Sequence, residues 1–205
     1  MTHKGNAVGL SVLMLAGTIG WAHAIEPVDQ SYVRSLAAPG KTVLVMEYSD
    51  ATGAVVERKG YASAGGFNAI SGTQFRVNAN TVVKLYGLEA CNGDMVNQTE
   101  GYTGSCADWA LSGLSTELEN PKVIYCRAFV SEQNAAEQDA SCYVYVYFPG
   151  AMDSVYNLEQ QLLSTGFLRL EKDRAGNLLR PDLEESAAIG KEGYGMWADP
   201  RVQEQ

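Results

Sequence analysis

Histidine is almost missing from this chain of 205 residues. The two histidines, His3 and His23, both lie in the first 24 residues, a segment that we expect to be removed from the mature protein. Without histidine, a chain cannot form a Ser-His-Asp triad, a Cys-His nucleophile pair or a zinc site with imidazole ligands. It also lacks the commonest general base. Any catalysis would therefore depend on carboxylates, lysine, tyrosine or a metal ion held by oxygen ligands.

Long apolar runs are also missing, except near the N-terminus. There a polar stretch with one cation, Lys4, precedes an apolar run over residues 7–21, and the residues Ala-His-Ala follow it. This order is typical of a secretory signal with cleavage after Ala24. A retained membrane anchor is the alternative, but Gly9 and Gly17 interrupt a run that is shorter than the ~20 apolar residues of a usual span. We therefore expect export to the periplasm or the extracellular space, without membrane association after cleavage.

Basic residues are few. The chain has 15 Lys and Arg against 24 Asp and Glu, and the predicted signal contains one lysine and no acid, so the mature chain has 14 against 24 and a net charge of −10. Proteins that depend on phosphate contacts usually carry a basic field, because neutralising phosphates supplies most non-specific affinity for nucleic acid. The charge therefore disfavours nucleic acid as a partner.

Cysteine pairs of the CxxC type do not occur. The four cysteines, Cys91, Cys106, Cys126 and Cys142, all lie in the mature chain. An even number of cysteines in an exported protein favours disulfides over metal ligation. A zinc site is the alternative, although it would need four thiolates at spacings unlike those of zinc-binding CxxC pairs. Four cysteines allow three pairings, and their number alone does not choose among them.

Hydrophobic periodicity predicts strands in the first part of the chain and helices mostly later. The predicted strands cover residues 42–48, 54–59, 75–77, 81–86, 123–128 and 142–148. Three helices are predicted. The first covers residues 106–118 and the third residues 181–191. The second follows Gly150, has Val155, Leu158, Leu162 and Leu163 on one face, and ends at Gly166. Residues 25–41 are expected to be extended, and residues 91–104 to form a polar loop. This order suits an α+β domain with a small antiparallel barrel.

Three tyrosines alternate along the last predicted strand, at Tyr143, Tyr145 and Tyr147. Alternation places them on one face of the strand, opposite valines and a phenylalanine. We interpret them as the outer, half-buried face of a barrel strand. A stacking platform for single-stranded nucleic acid is an alternative that OB folds often use, and a contact surface for a protein partner is another.

Four stretches, in the right order, carry a resemblance to a known family. They are residues 71–77 (SGTQFRV), residues 83–90 (VKLYGLEA), the four cysteines, and residues 157–167 together with 185–197. They resemble the staphylococcal (thermo)nuclease-like family in its exported, disulfide-containing branch, whose fold is a five-stranded OB-type β-barrel with three helices. The resemblance implies sequential disulfides, Cys91–Cys106 and Cys126–Cys142, which we favour among the three pairings.

The resemblance also divides the chain. It implies a signal peptide over residues 1–24, an N-terminal extension with a β-hairpin over 25–69, a nuclease-like OB-fold domain over 70–200 and a C-terminal tail over 201–205. The hairpin is expected to lie outside the nuclease-like core, as a lid or a docking element.

The site that the resemblance implies is degenerate. The family holds Ca²⁺ with two aspartates and a backbone carbonyl, uses a glutamate to activate water, and binds the phosphate with two arginines. The matching positions in this chain are Thr73 and Glu89 for the aspartates, Asn92 for the glutamate, and Lys84 and Ser141 for the arginines. Glu89 and Lys84 keep the charge of the family residue, whereas the other three lose it. We therefore assign no catalytic residue and no metal ligand.

Two functions follow from the degenerate site. The first is an exported pseudoenzyme without a cofactor that acts by binding a protein in the cell envelope or in a secretion-related assembly. The alternative is a divergent extracellular nuclease that depends on Ca²⁺ and hydrolyses phosphodiester bonds of DNA or RNA. In that case a displaced loop acid, Asp94 or Glu100, would replace the lost carboxylates.

Overall fold

The computed structural model describes residues 27–204. The predicted signal peptide lies outside the described residues. Twelve strands are present in the described part: β1 (Thr42–Ser49), β2 (Val55–Ser63), β3 (Asn68–Ala69), β4 (Gln74–Asn78), β5 (Thr81–Leu85), β6 (Leu88–Glu89), β7 (Asp94–Asn97), β8 (Tyr102–Ser105), β9 (Val123–Phe129), β10 (Glu137–Phe148), β11 (Met152–Asn157) and β12 (Arg169–Leu170). Five α-helices accompany them: α1 (Gln30–Ser35), α2 (Cys106–Glu119), α3 (Leu158–Ser164), α4 (Glu184–Gly190) and α5 (Pro200–Gln203).

One mixed sheet of eight strands dominates the fold. Its order is β2-β1-β9-β10-β5-β4-β3, and β11 pairs with β10 beside this path. The β1–β9 and β5–β10 pairs are parallel, and the remaining pairs are antiparallel. The predicted α+β class is confirmed. No strand pair joins β2 to β3 in the part of the chain that the structure describes, so the sheet is not closed there by hydrogen bonds.

Helix α2 covers one face of the sheet, and its predicted apolar face is confirmed in part. Ala110, Leu114 and Leu118 recur at spacings of four and are buried in the main core. Of the predicted face Ala107, Leu111, Leu114 and Leu118, Ala107 is exposed and Leu111 is partly buried. Ser105 caps its first turn, since its hydroxyl oxygen accepts a hydrogen bond from the Asp108 N–H at 3.0 Å. The main hydrophobic core thus lies between this helix, α3 and the inner face of the sheet.

The N-terminal hairpin is present, but it belongs to the main core. Strand β1 lies between β2 and β9, and Leu44, Met46 and Tyr48 are fully buried within the core. The prediction that this hairpin lies outside the core is therefore wrong. Nearly every residue of β1 is buried, which is typical of a central strand covered on both faces.

The segment before β1 is helical at its centre, which corrects the prediction of an extended chain. Asp29 caps α1 by accepting hydrogen bonds from the Ser31 and Tyr32 N–H groups at 2.9 and 3.2 Å. Val33 is fully buried on the far side of the sheet from α2. A helix of six residues has little stability alone, so this packing against the sheet is what holds it.

Two other predictions are corrected. Strands β7 and β8 form an antiparallel hairpin within the segment predicted as a polar loop. Met95 and Asn97 alternate inward there, and two strands of four residues give too short a pattern to recognise. The segment after Gly150 begins as strand β11, and only at Leu158 does it become helix α3. Val155 therefore faces the cluster under α1 and does not share a helix face with Leu158.

Both predicted disulfides are present in the structure. Cys91–Cys106 joins the chain after β6 to the first residue of α2, and Cys126–Cys142 joins directly opposed residues of β9 and β10. Such bonds persist in oxidising compartments and are rare in the cytosol. Within residues 27–204, no helix is both long enough and apolar enough to cross a bilayer.

Candidate functional site

Three of the five family-matched positions lie on neighbouring strands. Lys84 of β5 lies directly opposite Gln74 of β4 and Asp139 of β10. Thr73 precedes β4, and its carbonyl oxygen accepts a hydrogen bond from the Leu85 N–H at 2.8 Å. Ser141, two residues after Asp139, points to the same side of the strand. The topology therefore brings Lys84 and Ser141 to one outer surface of the sheet. Thr73 continues the register opposite Leu85, whose side chain is buried in the core, so Thr73 lies toward the other face.

Carboxylates surround Lys84 on this surface. Burial raises the pKa of Asp139, and the ammonium of Lys84 opposes that rise. The negative charges of Glu132 and Glu137 also raise the pKa of Asp139, because like charges disfavour its ionisation. The single cation of Lys84 thus faces a local excess of negative charge. A phosphate would be repelled here rather than held.

A buried ion pair lies beneath Ser141. Both carboxylate oxygens of Glu159 accept hydrogen bonds from the Cys142 N–H, at 3.0 and 3.1 Å. The carboxylate is fully buried, and an Arg180 guanidinium nitrogen lies 4.0 Å from it. Burial raises the pKa of Glu159 to about 7, while Arg180, Ser141 and the Cys142 N–H oppose the rise.

Arg180 lies beside Glu159, and its guanidinium is bound within the chain. Its Nε and Nη2 donate hydrogen bonds to Asp182, both at 2.9 Å, and Nη1 donates to the Tyr86 carbonyl oxygen at 3.4 Å. The side chain crosses Gly87, where an added Cβ would lie 2.5 Å from Arg180 Cγ. Arg180 is therefore a structural residue that holds the turn after β5.

Glu89 is also bound to a side chain of the protein. Its Oε1 lies 2.9 Å from Arg169 Nε, and the two residues are directly opposed in the β6–β12 pair. The Glu89 carboxylate is thus half-exposed and partnered by a cation. It cannot serve as a strong metal ligand without losing this ion pair.

The remaining position and the two loop acids lie on or next to the β7–β8 hairpin. Asn92 is exposed beside the Cys91–Cys106 disulfide. Asp94 is exposed at the start of β7. The Glu100 N–H donates to Asn97 Oδ1 at 3.0 Å, and Asn97 Nδ2 donates to Glu100 Oε1 at 3.3 Å. These contacts make Glu100 part of a hairpin turn, and no contact joins it to Thr73 or Lys84.

The residues do not fit the Ca²⁺ ion of the family. Ca²⁺ takes six to eight oxygen ligands, among which carboxylates dominate. Thr73 and Ser141 offer neutral hydroxyls, and Glu89 is paired with Arg169. Within residues 27–204, no group of three or more His, Cys, Asp or Glu side chains could hold a metal ion. We therefore derive no catalytic step through a metal.

The tyrosines of β10 do not form an exposed ladder. Tyr143 and Tyr145 are buried beneath α1, and Arg34 of that helix lies 5.7 Å from the centre of the Tyr145 ring. Only Tyr147 is exposed, at 43%. The alternatives of a stacking platform and of a tyrosine contact surface are therefore wrong for Tyr143 and Tyr145. The short helix α1, which the sequence pattern did not reveal, covers this face.

Comparison with known proteins gives no identification. No protein-family model matches the chain. No curated protein matches it either. The function must therefore be argued from the site itself.

Proposed function

We propose that this protein is an exported, catalytically inactive member of the staphylococcal nuclease-like family that acts by binding a protein partner in the cell envelope or in a secretion-related assembly. The observation that carries this proposal is that the remaining charges around the family-matched positions are neutralised within the chain. Glu89 is paired with Arg169, and Arg180 with Asp182. Neither charge is available to a metal ion or to a phosphate.

The curvature of the sheet supports an OB-type fold. Its two outer strands, β2 and β3, are consecutive in the chain, and Ser63 is five residues from Asn68. Five residues span at most about 18 Å. In a flat sheet, the six spacings between these strands would separate them by about 29 Å. The sheet is therefore not flat, which fits the curvature that an OB-type barrel requires, although β1 of the N-terminal hairpin is inserted between β2 and β9.

The expected loss of activity is large. Removing one preorganised group that stabilises charge in a transition state costs about 100- to 1,000-fold in rate. Here an aspartate, the catalytic glutamate and an arginine of the family are replaced by Thr73, Asn92 and Ser141. Such losses are not additive, but one of them would already reduce cleavage to a trace.

The test of inactivity is a cleavage assay on the oxidised protein. Plasmid DNA and RNA are incubated with Ca²⁺, and a chelator-treated sample provides the baseline. We expect no cleavage above that baseline. If chelator-sensitive cleavage occurs, Glu89→Gln identifies its origin, because the divergent-nuclease alternative requires the Glu89 carboxylate. An active protein that Glu89→Gln inactivates would establish that alternative and refute the proposal.

The surface that best suits a protein partner is the tip of the β10–β11 hairpin. Phe148 and Met152 are directly opposed there and are 46% and 49% exposed, and Tyr147 is exposed on the other face of β10. Adjacent exposed apolar side chains are costly in water and mark contact surfaces. Aromatic residues and methionine are enriched in such surfaces. We therefore place the partner contact at this hairpin tip.

A site-specific photo-crosslink tests this assignment. A photoreactive phenylalanine analogue replaces Phe148 in the exporting cell, and the same analogue at Phe129 is the control. Phe129 is also an exposed aromatic residue at the end of a strand, but it lies on β9. We expect a discrete adduct with a second protein from position 148 only. Equal adducts from both positions, or none from 148, would contradict a contact at the hairpin tip.

A further inference from the structure

Strand β2 forms an edge of the sheet and is unusually open for an edge strand. It has nine residues, contains no proline, and pairs with β1 alone among the described residues. Natural proteins usually protect such edges with short strands, prolines, bulges or charges, because the free N–H and C=O groups recruit another strand. Its bulge lies at one end, beside Val55. The remaining protection is the charged run Glu57, Arg58 and Lys59.

This charged run is self-complementary in one symmetric register. When two copies of an edge strand pair about a two-fold axis, each side chain must lie on the same face as its partner, so the axis passes through a residue. If the axis passes through Glu57 or through Lys59, the two copies of that residue face each other with like charges. An axis at Gly60 leaves the charges without opposite partners. An axis at Arg58 places Glu57 of each copy opposite Lys59 of the other, twice per dimer.

The next pair of this register is also favourable. Val56 lies opposite Gly60 of the second copy, which leaves room for the valine. The register ends there, because the bulge moves Val55, paired with Ser49, to the other face from Tyr61, paired with Leu44. Val56 is exposed in the single chain, so pairing would remove apolar surface from water.

The one like-charged contact of this register is already neutralised. The two Arg58 side chains meet at the axis, but each is bound within its own chain. Arg58 Nη2 lies 2.6 Å from Glu47 Oε2, and Nε donates to the same oxygen at 2.8 Å. Glu47 is itself buried. The bound carboxylate, which Arg127 Nε also approaches to 3.3 Å, reduces the repulsion that two free guanidinium groups would produce.

We propose that β2 pairs with β2 of a second copy of this chain, in an antiparallel register centred on Arg58, and that this joins the two sheets into one. This interaction does not depend on the proposed function, because neither the family-matched positions nor the hairpin tip lies on β2. The occupant is a second copy because the strand complements its own charges in this register.

Charge reversal tests the register directly. The dimer dissociation constant of the oxidised protein is measured by sedimentation equilibrium for the unchanged chain, Glu57→Lys, Lys59→Glu and the double reversal. Each single reversal creates two like-charged pairs, and cross-strand pairs of this kind change the dissociation constant by roughly tenfold or more when two are reversed. The double reversal restores opposite charges and is expected to restore the dimer. Glu192→Lys, at an exposed glutamate outside β2, is the control and should change nothing.

Hydrogen exchange gives a second measurement on the unchanged chain, in case a variant fails to fold. Amides of β2 that face outward should exchange more slowly at high protein concentration than at low concentration. A protein that stays monomeric to about 1 mM would overturn the proposal. A dimer whose β2 amides exchange equally fast at both concentrations, or one that the single reversals leave intact, would also overturn it. Binding of a different protein at β2, instead of a second copy of this chain, would also overturn the proposal.

Discussion

The buried Glu159 carboxylate predicts how stability depends on pH. Burial raises its pKa to about 7 in the folded protein, whereas an unfolded glutamate titrates near 4.3. Between these values the folded state binds more protons than the unfolded state, so the free energy of unfolding falls as pH rises. Each unit of difference corresponds to about 1.4 kcal/mol. Ionisation of Glu159 therefore costs the folded protein roughly 4 kcal/mol by pH 8.

The perturbation that isolates this effect is Glu159→Gln. The amide keeps the size of the side chain but cannot ionise, so the variant escapes the loss of stability between about pH 4 and pH 7. Urea unfolding is followed by tryptophan fluorescence at several pH values, and the difference from the unchanged chain is plotted against pH. We expect this difference to shift by roughly 4 kcal/mol in favour of the variant as pH rises to 8. Glu192→Gln, at an exposed glutamate, is the matched control.

Parallel stability curves would refute this reasoning. They would mean that Glu159 ionises in the folded protein as easily as in the unfolded chain. In that case the Arg180 guanidinium and the Cys142 N–H would fully compensate the cost of burying the carboxylate. A shift of opposite sign would show that they overcompensate it.

Three further predictions concern single contacts. Arg180→Met leaves the buried Glu159 carboxylate without its cation, and urea unfolding at pH 8 should show a loss of at least about 1.4 kcal/mol, part of which disappears below about pH 7, where Glu159 is protonated in both folded proteins. Gly166→Ala should destabilise more than Gly176→Ala: both glycines have positive φ, but an added Cβ would lie 2.1 Å from the Tyr194 carbonyl oxygen at Gly166 and near no atom at Gly176. Equal losses would contradict the close approach. Replacing both cysteines of the β9–β10 disulfide with alanine should cost about 3 kcal/mol in thermal or urea unfolding, and an unchanged midpoint would contradict a stabilising role.

Long elements could be predicted from the sequence where their apolar residues recur on one face or run continuously. The continuous apolar runs of β1, β9 and β10 indicate strands because these strands are buried on both faces. The bounds of helix α2 follow from the recurrence of Leu114 and Leu118 at helical spacing. The four cysteines, with the resemblance, led to the pairing that the structure contains.

Short elements and ambiguous spacings could not be predicted in the same way. Val155 lies three residues before Leu158, a spacing that fits a helix, but the chain changes from strand to helix between them. Asn157 marks this change, because its side chain accepts a hydrogen bond from the Gln160 N–H at 2.8 Å and caps α3. Helix α1 has six residues, too few for a periodic pattern. Its burial against Tyr125 and Tyr143 depends on the folded sheet.

The partners of the site residues have no local signal at all. Glu89 and its partner Arg169 are 80 residues apart in the chain, and Glu159 meets Arg180 only through the packing of α3 beneath β10. A resemblance can assign a position such as Glu89, but only the structure shows that a neighbouring cation, Arg169, neutralises it. The further argument for inactivity therefore comes from tertiary contacts.

The central claim is tested most directly by the rate at which the oxidised protein cleaves nucleic acid in the presence of Ca²⁺. The account predicts that plasmid DNA and RNA remain intact, with no difference between samples with Ca²⁺ and samples with a chelator. Robust cleavage that the chelator abolishes would contradict it.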